Sequence, residues 1–411
     1  MTPIVDRQIR SPSADAGAPT AAIGPGRNWY LVAPAVAVLA LIPVAVLVHH
    51  PMDFGLAYQG GQEAWSSGHP QRVLTWTATP FFALVMAAIT RAAPLDVATP
   101  VILAVNLAVW GGLLVSVWNR LRGQVPSALW WGTLGAAAVC APAITTIFWM
   151  QPNLILLALA LGGVALADRR ARTAGLLIGL TLALKPIAVL LPFALLVRRE
   201  SRRAALWAIG VAAVLSAIGL GFLAWRGGDL SIANPIAYVA EFGTKGTGPI
   251  VACVVQNYSP MALLCRLGVH SSTALTVAVA AVVLVLGWLA VQRLRGVPNA
   301  RWDLVAVAFA LSPMLGPIGW AMYQLLLAPL MLLLAYQFWA ERAPTFLWLN
   351  LGLVYLMTML VWDPLESLAR TPVMVLVVSY TIGQFAQYFL LLLWFQWMRV
   401  RSARLKAFHS A

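Results

Sequence analysis

Asp53 is a carboxylate that follows the first long apolar run of the sequence, inside the segment 51–58. The chain has only 13 acidic residues among 411, so an acid placed where a hydrophobic run ends is a candidate for chemistry. A carboxylate in that place can accept a proton as a general base. It can equally be a solvated residue or a helix N-cap, and its position alone does not decide between these interpretations.

Lys185 and the turn 149–153 hold the next candidates. Lys185 lies beside Pro186 at the junction of two short apolar runs, where a cation can bind an anionic group such as a lipid phosphate. The alternative is a lysine that extends its amine to the membrane surface in a structural role. Gln151 and Asn153 flank Pro152, and their amides could contact a substrate or only satisfy the backbone of the turn.

The composition places these residues in a membrane protein. Apolar residues make up 61% of the chain, charged residues 10%, and the mean hydropathy is +0.83, which excludes a soluble domain. The net charge of +14 comes from short basic clusters between apolar runs, a pattern that sets membrane orientation and not nucleic-acid binding. The three cysteines have no Cys-x-x-Cys spacing, which argues against a thiolate metal site, and pairing of Cys253 with Cys265 stays open.

About twelve apolar runs are predicted to span the membrane, although the short runs 173–184 and 186–197 could instead form a helical pair that does not fully cross. They cover 29–49, 97–117, 127–148, 151–167, 173–184, 186–197, 204–225, 272–291, 303–318, 320–340, 344–362 and 373–397. The run 80–90 is too short to cross a hydrocarbon core of about 30 Å, which takes roughly 20 helical residues, so it is predicted to lie in the interface. With this count, 20 of the 27 Lys and Arg residues fall on the side of the two termini, as the positive-inside rule requires.

This topology predicts a plasma-membrane protein with both termini in the cytoplasm. A single transmembrane domain, 28–398, lies between a disordered tail, 1–27, and a basic tail, 399–411. Interfacial helices are expected in the first extracytoplasmic loop, 50–96, and a second large loop covers 226–271. The polar candidates gather on the extracytoplasmic side, whereas the cytoplasmic loops are short and basic, so any chemistry is predicted to be extracytoplasmic.

Several short motifs occur in a fixed order along the chain. They are Asp53 with Tyr58 and Gly60-Gly61-Gln62, Gly68-His69-Pro70, Trp76 to Phe81, Gln151-Pro152-Asn153, Lys185-Pro186, Gln256-Asn257-Tyr258-Ser259, and Ser312-Pro313 through Gly319-Trp320. In this order they resemble the polyprenol-phosphate-mannose-dependent α-mannosyltransferases of the actinobacterial cell envelope, a family with the GT-C fold that extends phosphatidylinositol mannosides. The resemblance covers most of residues 45–335. It implies an all-α polytopic GT-C protein with about 12 transmembrane helices.

The resemblance also implies a reaction and a set of roles. Asp53 would be the general base of an inverting transfer from a polyprenyl-phosphate sugar to a glycolipid or glycan hydroxyl, most simply of mannose in α-1,2 linkage. Lys185 and Arg266 would bind the donor phosphate. The expected substrate-binding residues are Tyr58, Gln62, Trp76, Gln151, Asn153, Gln256, Asn257, Trp320, Tyr323 and Gln324. Many relatives have histidine after the late tryptophan, and Tyr323 or Gln324 would substitute for it here.

A lipid-linked donor implies no nucleotide cofactor, and no residue cluster predicts a metal site, although a divalent metal is not excluded. Membrane lipids are the expected surroundings, and no nucleic-acid partner is expected. A lipid or glycolipid transporter or flippase is the alternative from a different class. Transporters usually contain internal repeats and ionisable residues at mid-membrane depth, and the sequence contains neither pattern. A structural membrane protein would leave the polar extracytoplasmic turns unexplained.

Overall fold

The computed structural model describes most of the chain from Met52 onward. The described residues are 52–73, 79–121, 124–138, 140–228, 259–266, 272–294, 297, 300–315, 321–359 and 373–410. The predicted tail 1–27, the first predicted span and most of the loop 226–271 lie outside them. The described part contains helices and no β-strand, which agrees with the predicted all-α class.

Fifteen α-helices make up the described part, with three short 3₁₀ segments at 70–72, 312–315 and 321–327. In chain order they are α1 Met52–Ser67, α2 Pro80–Ala92, α3 Leu95–Leu121, α4 Ser127–Ala138, α5 Ala141–Phe148, α6 Asn153–Leu166, α7 Ala171–Leu184, α8 Leu191–Leu196, α9 Arg202–Trp225, α10 Pro260–Arg266, α11 Ser272–Leu294, α12 Arg301–Leu311, α13 Ala328–Ala340, α14 Thr345–Met359 and α15 Val373–Ser410.

Among the described residues, five helical stretches are long and apolar enough to cross a membrane. They are Leu95–Leu121, Leu129–Phe148, Arg202–Trp225, Val277–Leu294 and Met322–Ala340. Several other predicted spans are shorter helices, among them α6 and α7 with 14 residues each. The chain is therefore a polytopic membrane protein, and the number of twelve spans stays a prediction.

Two predicted runs differ in detail from the structure. The run 127–148 divides into α4 and α5, and α5 begins after Cys140 with Pro142 in its first turn. Proline has no N–H to give to the preceding turn, so it starts a new helix here. At the other end, α15 continues through the predicted basic tail 399–411 as far as Ser410, because lysine, arginine and alanine favour helix.

A close crossing of α7 and α9 fixes the helix that ends at Lys185. Gly175 and Gly179 form a Gly-x-x-x-Gly pattern on α7, and they face α9 near Ala208. A Cβ atom at Gly179 would lie 2.7 Å from the carbonyl oxygen of Ala208, so only glycine allows this approach. Small residues that let backbones come together are the usual basis of helix packing in membranes.

Helices α1 and α2 pack on each other and hold Asp53. Helix α2 has 13 residues, fewer than the roughly 20 that a hydrocarbon core requires, and the interfacial position of 80–90 stays a prediction. Gly61 of α1 contacts the backbone of Met86 in α2 so closely that a Cβ there would lie 2.6 Å from the Met86 carbonyl oxygen. Arg226, at the end of α9, donates to the carbonyl oxygen of Trp65 and stacks over its ring.

A second packed region joins α12, α13 and α15 around a buried carboxylate. The Gln337 amide donates to both carboxylate oxygens of Asp303 at 3.2 Å, and the indole N–H of Trp394 donates to one of them at 3.2 Å. The indole N–H of Trp397 donates to the Gln337 oxygen at 2.9 Å. We call these four residues the Asp303 network, and both tryptophans are fully buried.

Candidate functional site

Helix α1 carries Asp53 in its first turn. A carboxylate at a helix N-terminus is favoured by the partial positive charge of the unpaired backbone N–H groups. Phe54 and Tyr58 of the same helix are buried against α2 and the start of α3. Asp53 is half-buried and is the residue of α1 that reaches toward the turn between α5 and α6.

The turn after α5 presents Gln151 through a well-defined helix cap. Met150 has φ of 54°, in the left-handed region, and its N–H bonds the Ile147 carbonyl at 3.1 Å. The Gln151 N–H bonds the Thr146 carbonyl at 2.9 Å. These two bonds are those of a Schellman motif, in which glycine usually occupies the left-handed position. A buried methionine accepts a strained backbone there, and Gln151 is held in one orientation as a result.

Lys185 follows α7 in extended conformation and lies opposite the same turn. Its ammonium donates to the Gln151 side-chain oxygen at 2.7 Å and to the Asn153 side-chain oxygen at 3.5 Å. The Gln151 amide nitrogen in turn donates to the Asp53 carboxylate at 2.5 Å. Asp53, Gln151, Lys185 and Asn153 therefore form one connected set, which we call the Asp53 network.

The electrostatics of Asp53 combine three effects. Burial raises the pKa of its carboxyl above the usual range for aspartate, because the charged form is poorly solvated. The hydrogen bond from Gln151 and the positive charge of Lys185 act in the opposite direction and lower the pKa. The net direction is upward, so Asp53 is a stronger base than an exposed aspartate while a nearby cation still favours its ionised form.

Two groups of the site have capacity left for a ligand. Lys185 forms no ion pair within the described residues, and its ammonium contacts two amide oxygens and the ring of Tyr323, whose centroid lies 4.7 Å away. The side-chain nitrogen of Asn153 is buried and has no hydrogen-bond partner in the part of the chain that the structure describes. A buried donor without a partner is costly unless something else binds it.

Three predicted site residues lie elsewhere or are already engaged. The Tyr58 hydroxyl donates to the Ala93 carbonyl at 3.0 Å, which ties α1 to the end of α2. Gln62 is exposed and lies nine residues after Asp53, on the opposite side of α1 at 3.6 residues per turn. Gln324 points to α15, where its amide donates to the Gly383 carbonyl at 2.7 Å. Of the two residues expected to replace histidine, Tyr323 is the one at the site.

Five other predicted site residues cannot be placed relative to Asp53 and Lys185. Trp76, Gln256, Asn257 and Trp320 lie outside the described residues. Arg266 is the last residue of α10, and its side chain also lies outside them. These residues stay sequence predictions.

Two further residues shape the site and were not among the predicted site residues. Met150 carries the strained turn, and no local pattern marks it, because glycine or asparagine is the expected residue there. The Ser312 hydroxyl accepts from the Leu190 N–H at 3.2 Å, across 122 residues, and so fixes the turn that follows Lys185-Pro186. The Ser312-Pro313 pair was visible in the sequence, but its partner was not. Among the described residues, no group of three or more His, Cys, Asp or Glu side chains could hold a metal ion.

Comparison with known proteins identifies a family. The model of glycosyltransferase family 87 matches residues 76–317, more than half of the chain. The matched range includes Gln151, Asn153 and Lys185 and begins after Asp53. No curated protein and no solved structure matches the chain.

Proposed function

The chain belongs to glycosyltransferase family 87, and we propose that it transfers a sugar from polyprenyl phosphate to a hydroxyl of a membrane glycolipid or envelope glycan. Family membership makes the protein a membrane glycosyltransferase, which favours transfer over the transport alternative. The proposal adds the donor class, mannose as the sugar, an acceptor of the phosphatidylinositol mannoside or lipomannan type and an α-1,2 linkage. It also places the reaction on the extracytoplasmic side of the plasma membrane.

The observation that carries this proposal is the chain of hydrogen bonds from Asp53 through Gln151 to Lys185. It puts a proton acceptor and a cation on either side of one amide. Group transfer from a lipid phosphate needs both, since the acceptor hydroxyl must lose a proton while negative charge grows on the departing phosphate.

In the proposed step the acceptor oxygen attacks the anomeric carbon of the donor. The bond from that carbon to the phosphate oxygen breaks, and its electron pair leaves with the polyprenyl phosphate. The hydroxyl proton passes to Asp53, and Lys185 stabilises the phosphate. A single displacement inverts the configuration, so a β-linked donor gives an α-linked product.

The remaining groups of the site suit binding. The free amide nitrogen of Asn153 can donate to a sugar hydroxyl or a phosphate oxygen. Tyr323 holds Lys185 by a cation–π contact and keeps the ammonium close to the two amides. Trp76, Gln256, Asn257, Trp320 and Arg266 complete the proposed substrate contacts on the strength of the sequence alone.

Sugar transfer in membranes that contain the expressed chain tests the proposal. With labelled polyprenyl-phosphate mannose and a glycolipid extract, Asp53→Asn is expected to lower the transfer rate about 10²- to 10⁴-fold, the usual contribution of a general base. Asp96→Asn is the matched control, because Asp96 is an exposed acid at the start of α3 whose carboxylate accepts from the neighbouring Val97 N–H. Transfer by Asp53→Asn at the wild-type rate would contradict the proposed mechanism.

The donor and acceptor need separate experiments. Competition among polyprenyl phosphates that carry mannose, arabinose or glucose identifies the sugar. Mass spectrometry of envelope glycolipids from a deletion strain identifies the acceptor, which accumulates when its transferase is missing. Accumulation of a glycolipid that is one mannose shorter than the normal product supports the proposal, and an unchanged glycolipid profile counts against the proposed acceptor.

A further inference from the structure

Helix α7 ends with two backbone carbonyls that its own helix does not satisfy. Pro186 has no N–H, and the Ile187 N–H bonds the Lys185 carbonyl at 2.7 Å instead of reaching back into the helix. The carbonyls of Ala183 and Leu184, directly before Lys185, therefore need an outside donor.

Thr79 supplies that donor from a distant part of the chain. Its hydroxyl lies between the two carbonyl oxygens and donates to Ala183 and Leu184, at 3.0 Å for the latter, across 104 and 105 residues. The same oxygen accepts from the Phe82 N–H at 3.1 Å, which makes Thr79 the N-cap of α2. One side chain thus joins the start of α2 to the end of α7.

The two elements joined in this way carry the two ends of the Asp53 network. Helix α2 supports α1 and therefore Asp53, through the close contact between Gly61 and Met86. Helix α7 ends at Lys185. We propose that Thr79 is a positioning residue that holds Lys185 in reach of Gln151 and so sets the distance between the cation and the base.

This proposal rests on the proposed function for its effect on catalysis, and on geometry alone for its effect on Lys185. Without the Thr79 hydroxyl, the last turn of α7 loses its tie to α2, and the ammonium leaves the Gln151 oxygen. Lys185 then becomes more accessible. Asp53 loses a nearby positive charge that favours its ionised form.

Chemical labelling of Lys185 tests the geometry without reference to activity. The chain contains only three lysines, Lys185, Lys245 and Lys406, so a lysine-directed acylating reagent followed by mass spectrometry resolves each of them. In the purified full-length protein, Thr79→Val is expected to raise the labelling rate of Lys185 several-fold relative to Lys406. Thr79→Ser keeps the hydroxyl and is expected to label like the wild type.

Two more variants separate this role from general destabilisation. Thr90→Val removes a hydroxyl from the same helix, where it bonds only the Ala87 carbonyl at 2.8 Å, and is expected to leave Lys185 labelling unchanged. Thr79→Asp keeps an acceptor for the Phe82 N–H but no donor for α7, so it should raise labelling while preserving the cap. If Thr79→Val does not fold, the labelling rate of Lys185 in Thr79→Asp tests the positioning role instead.

Transfer assays on the same variants complete the experiment. Thr79→Val is expected to lower kcat about tenfold and to move the acidic limb of the kcat/KM profile to higher pH, whereas Thr79→Ser restores both. Unchanged Lys185 labelling in Thr79→Val, or equal effects of Thr79→Val and Thr90→Val, would overturn the positioning role. Raised labelling together with no sugar transfer by the wild-type protein would leave the positioning role standing and reject the proposed function.

Discussion

The Asp53 network and the Asp303 network each pair a carboxylate with a glutamine amide, and their surroundings differ. Asp303 is 3% exposed and accepts three hydrogen bonds from Gln337 and Trp394, within tightly packed helices. Asp53 is half-buried and accepts one bond from Gln151, at a meeting point of helix ends and turns. Next to it are a lysine without an ion pair and an amide nitrogen without a partner, among the residues the structure describes.

This difference separates a structural carboxylate from a candidate catalytic one. A network whose donors and acceptors are all engaged holds helices together and leaves nothing for a ligand. A network that contains a buried donor without a partner lowers the stability of the fold unless a substrate binds that donor. The comparison therefore predicts that changes in the Asp53 network affect turnover, and that changes in the Asp303 network affect stability.

After the loss of rate expected for Asp53→Asn, the largest effect is expected from removing the cation. Lys185→Met is predicted to lower kcat about 10²- to 10³-fold, the usual loss when one group that stabilises a developing anion is deleted. Lys185→Arg keeps the charge and should recover part of the rate. Steady-state kinetics with a lipid-linked donor gives both values, and equal activity of the two variants would show that the charge at this position is not used.

The Asp303 network gives the next largest effect, on stability. Asp303→Leu leaves the buried donors of Gln337 and Trp394 without an acceptor, so the free energy of unfolding should fall by about 2–4 kcal/mol. Asp303→Asn keeps one acceptor oxygen and should cost less. Thermal unfolding in detergent measures the change, and activity per folded molecule should stay close to the wild type. A selective loss of turnover would place Asp303 in the catalytic machinery.

Gln151 tests the electrostatic link between Lys185 and Asp53. Gln151→Leu removes the hydrogen bond that lowers the pKa of Asp53, so this pKa should rise further above its usual range. A general base works in its ionised form, and the acidic limb of kcat/KM against pH should therefore move to higher pH, with a rate loss of about tenfold near neutrality. An unshifted limb would mean that Asp53 does not govern it.

The smallest effects concern the support of Asp53 by α2. Gly61→Ala places a Cβ against the Met86 backbone and should destabilise the protein by about 1–3 kcal/mol. Gly55→Ala, in the same helix with open space around it, should stabilise by about 0.5–1 kcal/mol. Unfolding midpoints distinguish the two, and effects of the same sign would contradict the close packing of α1 on α2.

Much of the architecture is predictable from the sequence because apolar runs of sufficient length can only be helices in a membrane. Helices α3, α9 and α11 closely match the predicted runs, and the run 80–90 forms the short helix α2. The division of 127–148 and the extension of α15 to Ser410 were not predicted. A hydropathy profile shows neither where a proline starts a new helix nor how far a helix continues into a basic segment.

The site residues, too, were predictable where their type and position in the sequence marked them, and not where their role depends on a distant partner. Asp53, Gln151 and Lys185 were selected by residue type and by their predicted side of the membrane, and the structure brings them together. Thr79 and Ser312 were not selected, because their partners lie more than a hundred residues away and no local pattern specifies such a pair. Tyr58 and Gln324 were selected by type, but their side chains are engaged in helix packing.

The most direct test of the central claim compares Asp53→Asn with Asp303→Asn in one preparation, by transfer rate per folded molecule and by unfolding midpoint. Because the folded pKa of Asp53 is raised, the stability contributed by its proton is lost as pH rises through that pKa, so Asp53→Asn should be as stable as the wild type or more stable at neutral pH. We expect Asp53→Asn to lose about 10²- to 10⁴-fold in rate without a loss of stability. Asp303→Asn should lose stability and keep a transfer rate per folded molecule close to that of the wild type. A folded Asp53→Asn protein that transfers sugar at the wild-type rate would contradict the proposed role of Asp53.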